Sequence, residues 1–116
     1  MKLEYFPLHG RAMLIRLLLN YCNVQFEDKM VSFQEFGQNK ANGVYALGQL
    51  PVFYLDDDTQ LCQTKAIARY LAKVHAGKNG EVLYAGDADP LQSYQIDEMI
   101  DSMEDLSMLA VNFLFP

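Results

Sequence analysis

Residues 49–74 read QLPVFYLDDDTQLCQTKAIARYLAKV. Leu50-Pro51-Val52-Phe53-Tyr54-Leu55 is a short run with β-branched and aromatic residues and a proline at its start, a position strands tolerate. Asp56-Asp57-Asp58-Thr59 has turn chemistry, and Gln60-Leu61-Cys62 reads as the return strand. Three adjacent aspartates raise a metal reading, but the turn preference of Asp favours a solvated hairpin tip. Thr64 then reads as the cap of a helix running to about Ala76. Ile67, Tyr70, Leu71 and Val74 form its apolar face, and Gly77 ends it.

Working outward, Lys2–Phe6 is a strand that stops before Pro7. Beyond Gly10 the period is helical, with Leu14, Leu17, Leu18 and Tyr21 at i, i+3, i+4 and i+7, and Ile15 and Leu19 widening the stripe. Residues 25–31 read as a second strand anchored by Phe26. Residues 32–48 read as irregular with at most a short helix. Strand–helix–strand implies a parallel pair, and the hairpin adds antiparallel strands. The result is an α/β fold, a mixed four-stranded sheet flanked by helices in the thioredoxin-like arrangement, over residues 1–77. Residues 78–88 read as a linker. Asp89-Pro90 is a strong helix start, and the helix is expected to run through residues 89–116.

The chain has 116 residues, of which 51% are hydrophobic and 21% charged. That composition excludes a disordered chain. A net charge of -6 repels phosphate backbones and argues against nucleic acid as a partner. With only Cys22 and Cys62 and no Cys-x-x-Cys, a disulfide framework is ruled out and a structural zinc site is not expected. Cys22 reads as packing; Cys62, just before Gln63, reads as structural, with a place near a ligand as the alternative. His9 reads as a solvated loop residue. Arg11 and Arg16 interrupt the first apolar run, so neither a signal peptide nor a membrane span is expected, and the expected location is cytoplasmic.

In such a sheet, ligands are expected off the carboxyl ends of parallel strands, near helix N-termini. Three segments converge there: Tyr5-Phe6-Pro7 with Gly10-Arg11, Gln49-Leu50-Pro51, and Gln63-Thr64. A phenol, a guanidinium, carboxamides, a hydroxyl and helix-start N–H groups suit an anionic, peptide-like ligand. A cis Leu50-Pro51 bond would leave the Leu50 N–H and C=O free to pair with an extended peptide.

Four stretches carry a family resemblance: Tyr-Phe-Pro-Leu-His-Gly-Arg-Ala at 5–12, Gly-Gln-Leu-Pro-Val at 48–52, Gln-Thr-Lys-Ala-Ile-Ala-Arg-Tyr-Leu at 63–71, and Ile-Asp-Glu-Met-Ile-Asp-Ser-Met-Glu-Asp-Leu at 96–106. In this order they resemble the N-terminal part of the Tyr-type cytosolic glutathione transferases, most like the sigma or pi classes. The resemblance implies that the Tyr5 hydroxyl bonds the glutathione sulfur and that Arg11 supports it. It implies that Gln49 and Leu50 hold the cysteinyl part, with Pro51 cis. Gln63 and Thr64 would bind the γ-glutamyl carboxylate, with Thr64 in place of the family's Ser. Phe36 and Lys40 would grip the glycine end, with Phe36 in place of Trp and so without an indole donor. Asp105 would reach the γ-glutamyl amine from the partner subunit. No cofactor or metal is implied beyond glutathione as co-substrate. The long last helix would be the first helix of an otherwise absent all-helical domain.

The chemistry this implies is simple. A thiolate is the nucleophile, and a free thiol titrates near 8.5, so little is ionised at neutral pH. A hydroxyl donating to the sulfur favours the charged form. The expected function is conjugation of glutathione to small electrophiles. Two alternatives stand beside it: a sigma-type prostaglandin isomerase, although the chain has no Trp, and a non-catalytic relative such as a lens crystallin. Asp97, Asp101 and Asp105 share one helical face, opposite in charge to Arg69 and Lys73. In the resembling family such faces meet across a dimer, so Arg69 and Lys73 are expected to pair with Asp97 and Asp101 in a homodimer. Residues 106–115 are apolar on nearly every side, so either the chain is a fragment or this stretch is expected to be buried by a partner chain or a swapped dimer.

Overall fold

A computed structural model describes all residues, Met1–Pro116. Four strands, β1 (Lys2–Tyr5), β2 (Glu27–Met30), β3 (Val52–Tyr54) and β4 (Gln60–Cys62), form one sheet in the order β2-β1-β3-β4. β1 runs parallel to β2 and antiparallel to β3, and β3 and β4 make the hairpin. This is the expected mixed sheet and the thioredoxin-like arrangement. The helices are α1 (Met13–Tyr21), α2 (Phe33–Ala41), α3 (Thr64–Val74) and α4 (Pro90–Leu114), and a single 3₁₀ turn, Gly10–Ala12, leads into α1.

Strand alternation builds the core. Leu3 pairs with Phe53 across β1 and β3, so both side chains leave the sheet on one face. Tyr5 shares that face, and Ile15 and Leu19 of α1 and Ile67 and Leu71 of α3 close over it. Full burial of Phe53 alone is worth on the order of 1.5–3 kcal/mol. The opposite face carries Glu4, Val52 and Tyr54, and the buried ring of Tyr45 comes from the connection between α2 and β3.

Three local expectations change. The stripe read on α1 divides into two faces: Ala12, Ile15 and Leu19 are buried, whereas Leu17 is 62% exposed and Leu14 and Tyr21 are also exposed. Periodicity alone marks an apolar helix; it does not reveal which side meets the sheet. On α3, Ile67, Ala68 and Leu71 are buried, but Tyr70 and Val74 are exposed, and the helix ends at Val74 with His75 after it. The stretch 32–48, read as irregular with at most a short helix, contains the short helix α2. Ser32 caps it, its hydroxyl accepting from the Glu35 N–H at 3.0 Å. No residue of α2 is fully buried, so there was no apolar period to read. The N-cap of α3 is Gln63 rather than Thr64.

Other expectations hold. Asp89 caps α4, accepting from the Gln92 N–H at 3.0 Å, with Pro90 in the first turn. The three aspartates form the hairpin tip: Asp57 accepts from the Thr59 N–H at 3.1 Å, and Asp56 pairs with the terminal ammonium. The apolar end of α4 is exposed, with Phe113 at 84%.

Phe53→Ala should lower unfolding stability by about 3–5 kcal/mol in urea titration. A loss below about 1 kcal/mol would contradict the placement of Phe53 at the centre of the core.

Candidate active site

β1 ends at Tyr5, so the tyrosine ring is held in the core while its hydroxyl emerges at the strand's carboxyl end. The side chain is 7% exposed. The Arg11 N–H donates to the Tyr5 hydroxyl oxygen at 3.1 Å. That bond occupies the oxygen as an acceptor and leaves the O–H proton free to donate elsewhere. Gly10 makes the approach possible. Its φ is +42°, and an added Cβ would lie 2.6 Å from the Tyr5 hydroxyl and 2.6 Å from Leu8. Any other residue there would be strained and would push the hydroxyl aside.

Beside it opens a cleft of about 520 Å³. The structure brings eight of the expected residues together in its walls: Arg11, Phe36, Lys40, Gln49, Leu50, Pro51, Gln63 and Thr64. The Leu50-Pro51 bond is cis, as the peptide-pairing argument requires. Phe36 and Lys40 lie one helical turn apart on α2, with the ammonium 5.7 Å from the ring centroid. Gln63 has φ +75°, a region costly for a non-glycine residue. Its carboxamide donates to that of Gln49 at 3.4 Å. No side chain caps α3, so its first-turn N–H groups remain available to an anion. The Thr64 hydroxyl instead donates to the Arg11 carbonyl at 3.1 Å, joining the α3 start to the turn that holds Tyr5.

Two expected residues stand apart. Tyr5 borders a second cavity rather than the cleft wall itself. Asp105 is exposed on α4 and does not line the cleft. Phe6, Leu47, Gly48 and Cys62 complete the wall; the sequence reading placed Phe6 in a converging segment without a role, quoted Gly48 only within its motif word, held packing against a place near the ligand for Cys62, and missed Leu47. Phe6 directly follows Tyr5. Its ring stacks on Phe33 at 4.6 Å and meets Phe36 edge-on at 5.3 Å.

The second cavity, about 530 Å³, lies between α1 and α4. Tyr5, Leu14, Leu17, Ile100, Met103 and Val111 line it, and it shares Arg11 and Thr64 with the cleft. The exposed face of α1 is thus the wall of a cavity. The Tyr5 hydroxyl stands at the junction of a polar cleft and an apolar one.

Three ion pairs hold α4 beside this junction. Arg11 meets Glu104 at 3.0 Å, Lys65 meets Asp101 at 2.8 Å, and Arg69 meets Asp97 at 2.6 Å. Arg69 also reaches Asp101 at 3.5 Å, and the Tyr84 hydroxyl donates to Asp97 at 3.0 Å. The pairs expected across a homodimer, Arg69 with Asp97 and Asp101, are made here within one chain, because the 75–89 connection returns α4 alongside α3. Lys73 takes neither acid and lies 5.2 Å from the centroid of the Tyr84 ring.

Comparison with known proteins agrees with this fold. The family model described as "Glutathione S-transferase, N-terminal domain" matches residues 1–73. Glutathione S-transferase 3 of Caenorhabditis elegans is 35% identical over 104 residues, covering 90% of this chain and 45% of that protein. Human hematopoietic prostaglandin D synthase is 32% identical over 104 residues, covering 90% of this chain and 47% of that protein. The solved structure of prostaglandin synthase D from Nilaparvata lugens superposes with a TM-score of 0.79 at 32% identity, covering 99% of this chain and 52% of that one. The chain belongs to the glutathione S-transferase family. It spans about half the length of these relatives.

The bond from Lys65, with Arg69 close by, holds the Asp101 carboxyl below its ordinary range. A carboxyl depressed in the folded state stabilises it above the unfolded value, and that contribution is lost as pH falls through the folded one. The stability difference between the parent chain and Asp101→Asn should therefore be present at pH 7 and close as pH falls towards about 2, and it should also shrink in about 1 M salt. An unchanged difference in urea midpoints across that range would contradict the ion-pair role.

Proposed function

We propose that this chain binds glutathione in the cleft and activates its thiol at Tyr5 for conjugation to small electrophiles. The observation that carries the reading is the Tyr5 hydroxyl. Its oxygen is engaged by the Arg11 N–H, leaving its proton to donate at the junction of the two cavities. In this reading the first-turn N–H groups of α3, with Gln63 and Thr64, receive the γ-glutamyl carboxylate. Gln49 and the free backbone groups of Leu50 hold the cysteinyl part beside cis Pro51. Phe36 and Lys40 take the glycine end, with the Lys40 ammonium facing its carboxylate.

The sulfur then lies against Tyr5. Donation from the hydroxyl stabilises the thiolate over the thiol, and the thiol proton leaves to solvent. The sulfur forms a bond to an electrophilic carbon, and the leaving group departs with its electron pair. Leu14, Leu17, Met103 and Val111 offer the electrophile an apolar wall. Arg11 and Thr64 border both cavities and fix the boundary between them.

A homodimer and a cytoplasmic location belong to the same proposal and rest on the family. Asp105, exposed on α4, is the acid proposed to reach the γ-glutamyl amine of a second copy. Asp97 and Asp101 are already paired within the chain. No helix is long and apolar enough to cross a membrane. Isomerisation of a prostaglandin endoperoxide is the second reading. The apolar cavity beside Tyr5 and the similarity to proteins named prostaglandin D synthase favour it.

Tyr5→Phe removes one hydrogen bond to a charged sulfur, worth on the order of 1.5–3 kcal/mol, so glutathione conjugation to a small aryl halide should slow about 10- to 150-fold at neutral pH. A variant rate equal to that of the parent chain would contradict the role of Tyr5. Turnover of a prostaglandin endoperoxide in place of the aryl halide would favour the second reading.

A further inference from the structure

Glu4 sits on β1 between Leu3 and Tyr5, and strand alternation turns it to the face opposite theirs. Its side chain is only 5% exposed. A buried carboxylate is costly unless its charge is met. Two ammonium groups meet it: Lys2 at 3.0 Å and Lys29 at 3.5 Å. Lys29 is its register partner on the edge strand β2. The same Lys29 ammonium reaches Glu35 of α2 at 3.2 Å.

α2 needs such a tie. It buries no residue fully, yet it carries both Phe36 and Lys40 to the cleft. Its remaining attachments are the Phe33 and Phe36 ring contacts and one bond from the Asn39 carboxamide to the Tyr45 hydroxyl at 3.0 Å. A lysine on an edge strand would ordinarily extend into solvent. The buried charge of Glu4 draws the Lys29 ammonium inward, to where Glu35 meets it.

We propose that Glu4, Lys29 and Glu35 form a clamp that fixes α2 on the sheet and so sets the grip of Phe36 and Lys40 on the glycine end of glutathione. Glu4 and Lys29 are positioning residues here, since neither lines the cleft. The part concerning glutathione rests on the cleft reading above; the clamp itself does not. The bond to Glu35 first, and the charge of Glu4 after burial, act on Lys29 with a net rise in its pKa, in keeping with a shared ammonium. Burial and then the charge of Glu4 push the neighbouring Tyr54 up to about 12.

The test uses two measurements on the 116-residue chain and on Glu4→Gln, Lys29→Met, Glu35→Gln and Lys29→Arg. Amide hydrogen exchange reads α2 against α1 as the internal control. Calorimetry reads the affinity for glutathione and for γ-glutamylcysteine, the same peptide without its glycine. Lys29→Met and Glu35→Gln should speed α2 exchange about 5-fold or more relative to α1 and weaken glutathione by a similar factor, leaving γ-glutamylcysteine unchanged. Glu4→Gln should act in the same direction, and Lys29→Arg should behave as the parent chain. Unchanged α2 exchange in all variants would overturn the clamp, as would α2 and α1 exchange rising together with both ligands weakened equally. If the parent chain binds neither peptide, the cleft reading and the grip fail together, while the exchange data still decide the clamp.

Discussion

β1 is paired on both edges, and each of its side chains is committed by strand alternation. Leu3 and Tyr5 must face α1 and α3, and Glu4 must face the other way. Because Tyr5 is the last residue of the strand, its ring is clamped in the core while its hydroxyl is presented at the carboxyl edge. A turn that can approach closely, through Gly10 at φ +42°, then lays the Arg11 N–H on that hydroxyl. Core and site are therefore one construction. A shift of β1 by one residue would exchange Tyr5 for Glu4 on the core face and remove both at once.

The cleft grows out of three backbone features around that strand end: the cis Leu50-Pro51 bond, the left-handed Gln63 and the uncapped start of α3. Each leaves polar groups facing the same space. α4 adds the apolar side. Asp97, Asp101 and Glu104 lie along one face of α4 and find Arg69, Lys65 and Arg11. Surface ion pairs are individually weak, but three in register along one helix specify where it lies. Arg11 thus belongs to the tyrosine turn, to the cleft and to the α4 contact at the same time.

The sheet and its helices were legible because strands here are bounded by Pro and Asp turns and because α1, α3 and α4 carry periodic apolar residues or a clear Asp-Pro start. α2 was not legible. It buries nothing fully and is held by a cap, rings and ion pairs, none of which leaves a period in the sequence. Eight cleft residues were readable from the motif words at 5–12, 48–52 and 63–71 and from Phe36 and Lys40, and the structure gathers them in one wall. Opposite charge tells which faces attract, not whether they belong to one chain or two, so the match of Arg69 with the α4 acids was legible and its place within one chain was not. Leu14 and Leu17 looked like core for a similar reason: an apolar side chain facing a cavity and one facing a sheet have the same letter.

The central claim is that the Tyr5 hydroxyl stabilises a thiolate held in the cleft. The ultraviolet absorption of the glutathione thiolate, followed against pH with the 116-residue chain in excess, tests it directly. The account predicts a midpoint for the bound thiol at least about one unit below the free value near 8.5. A bound thiol that titrates where free glutathione does would contradict it.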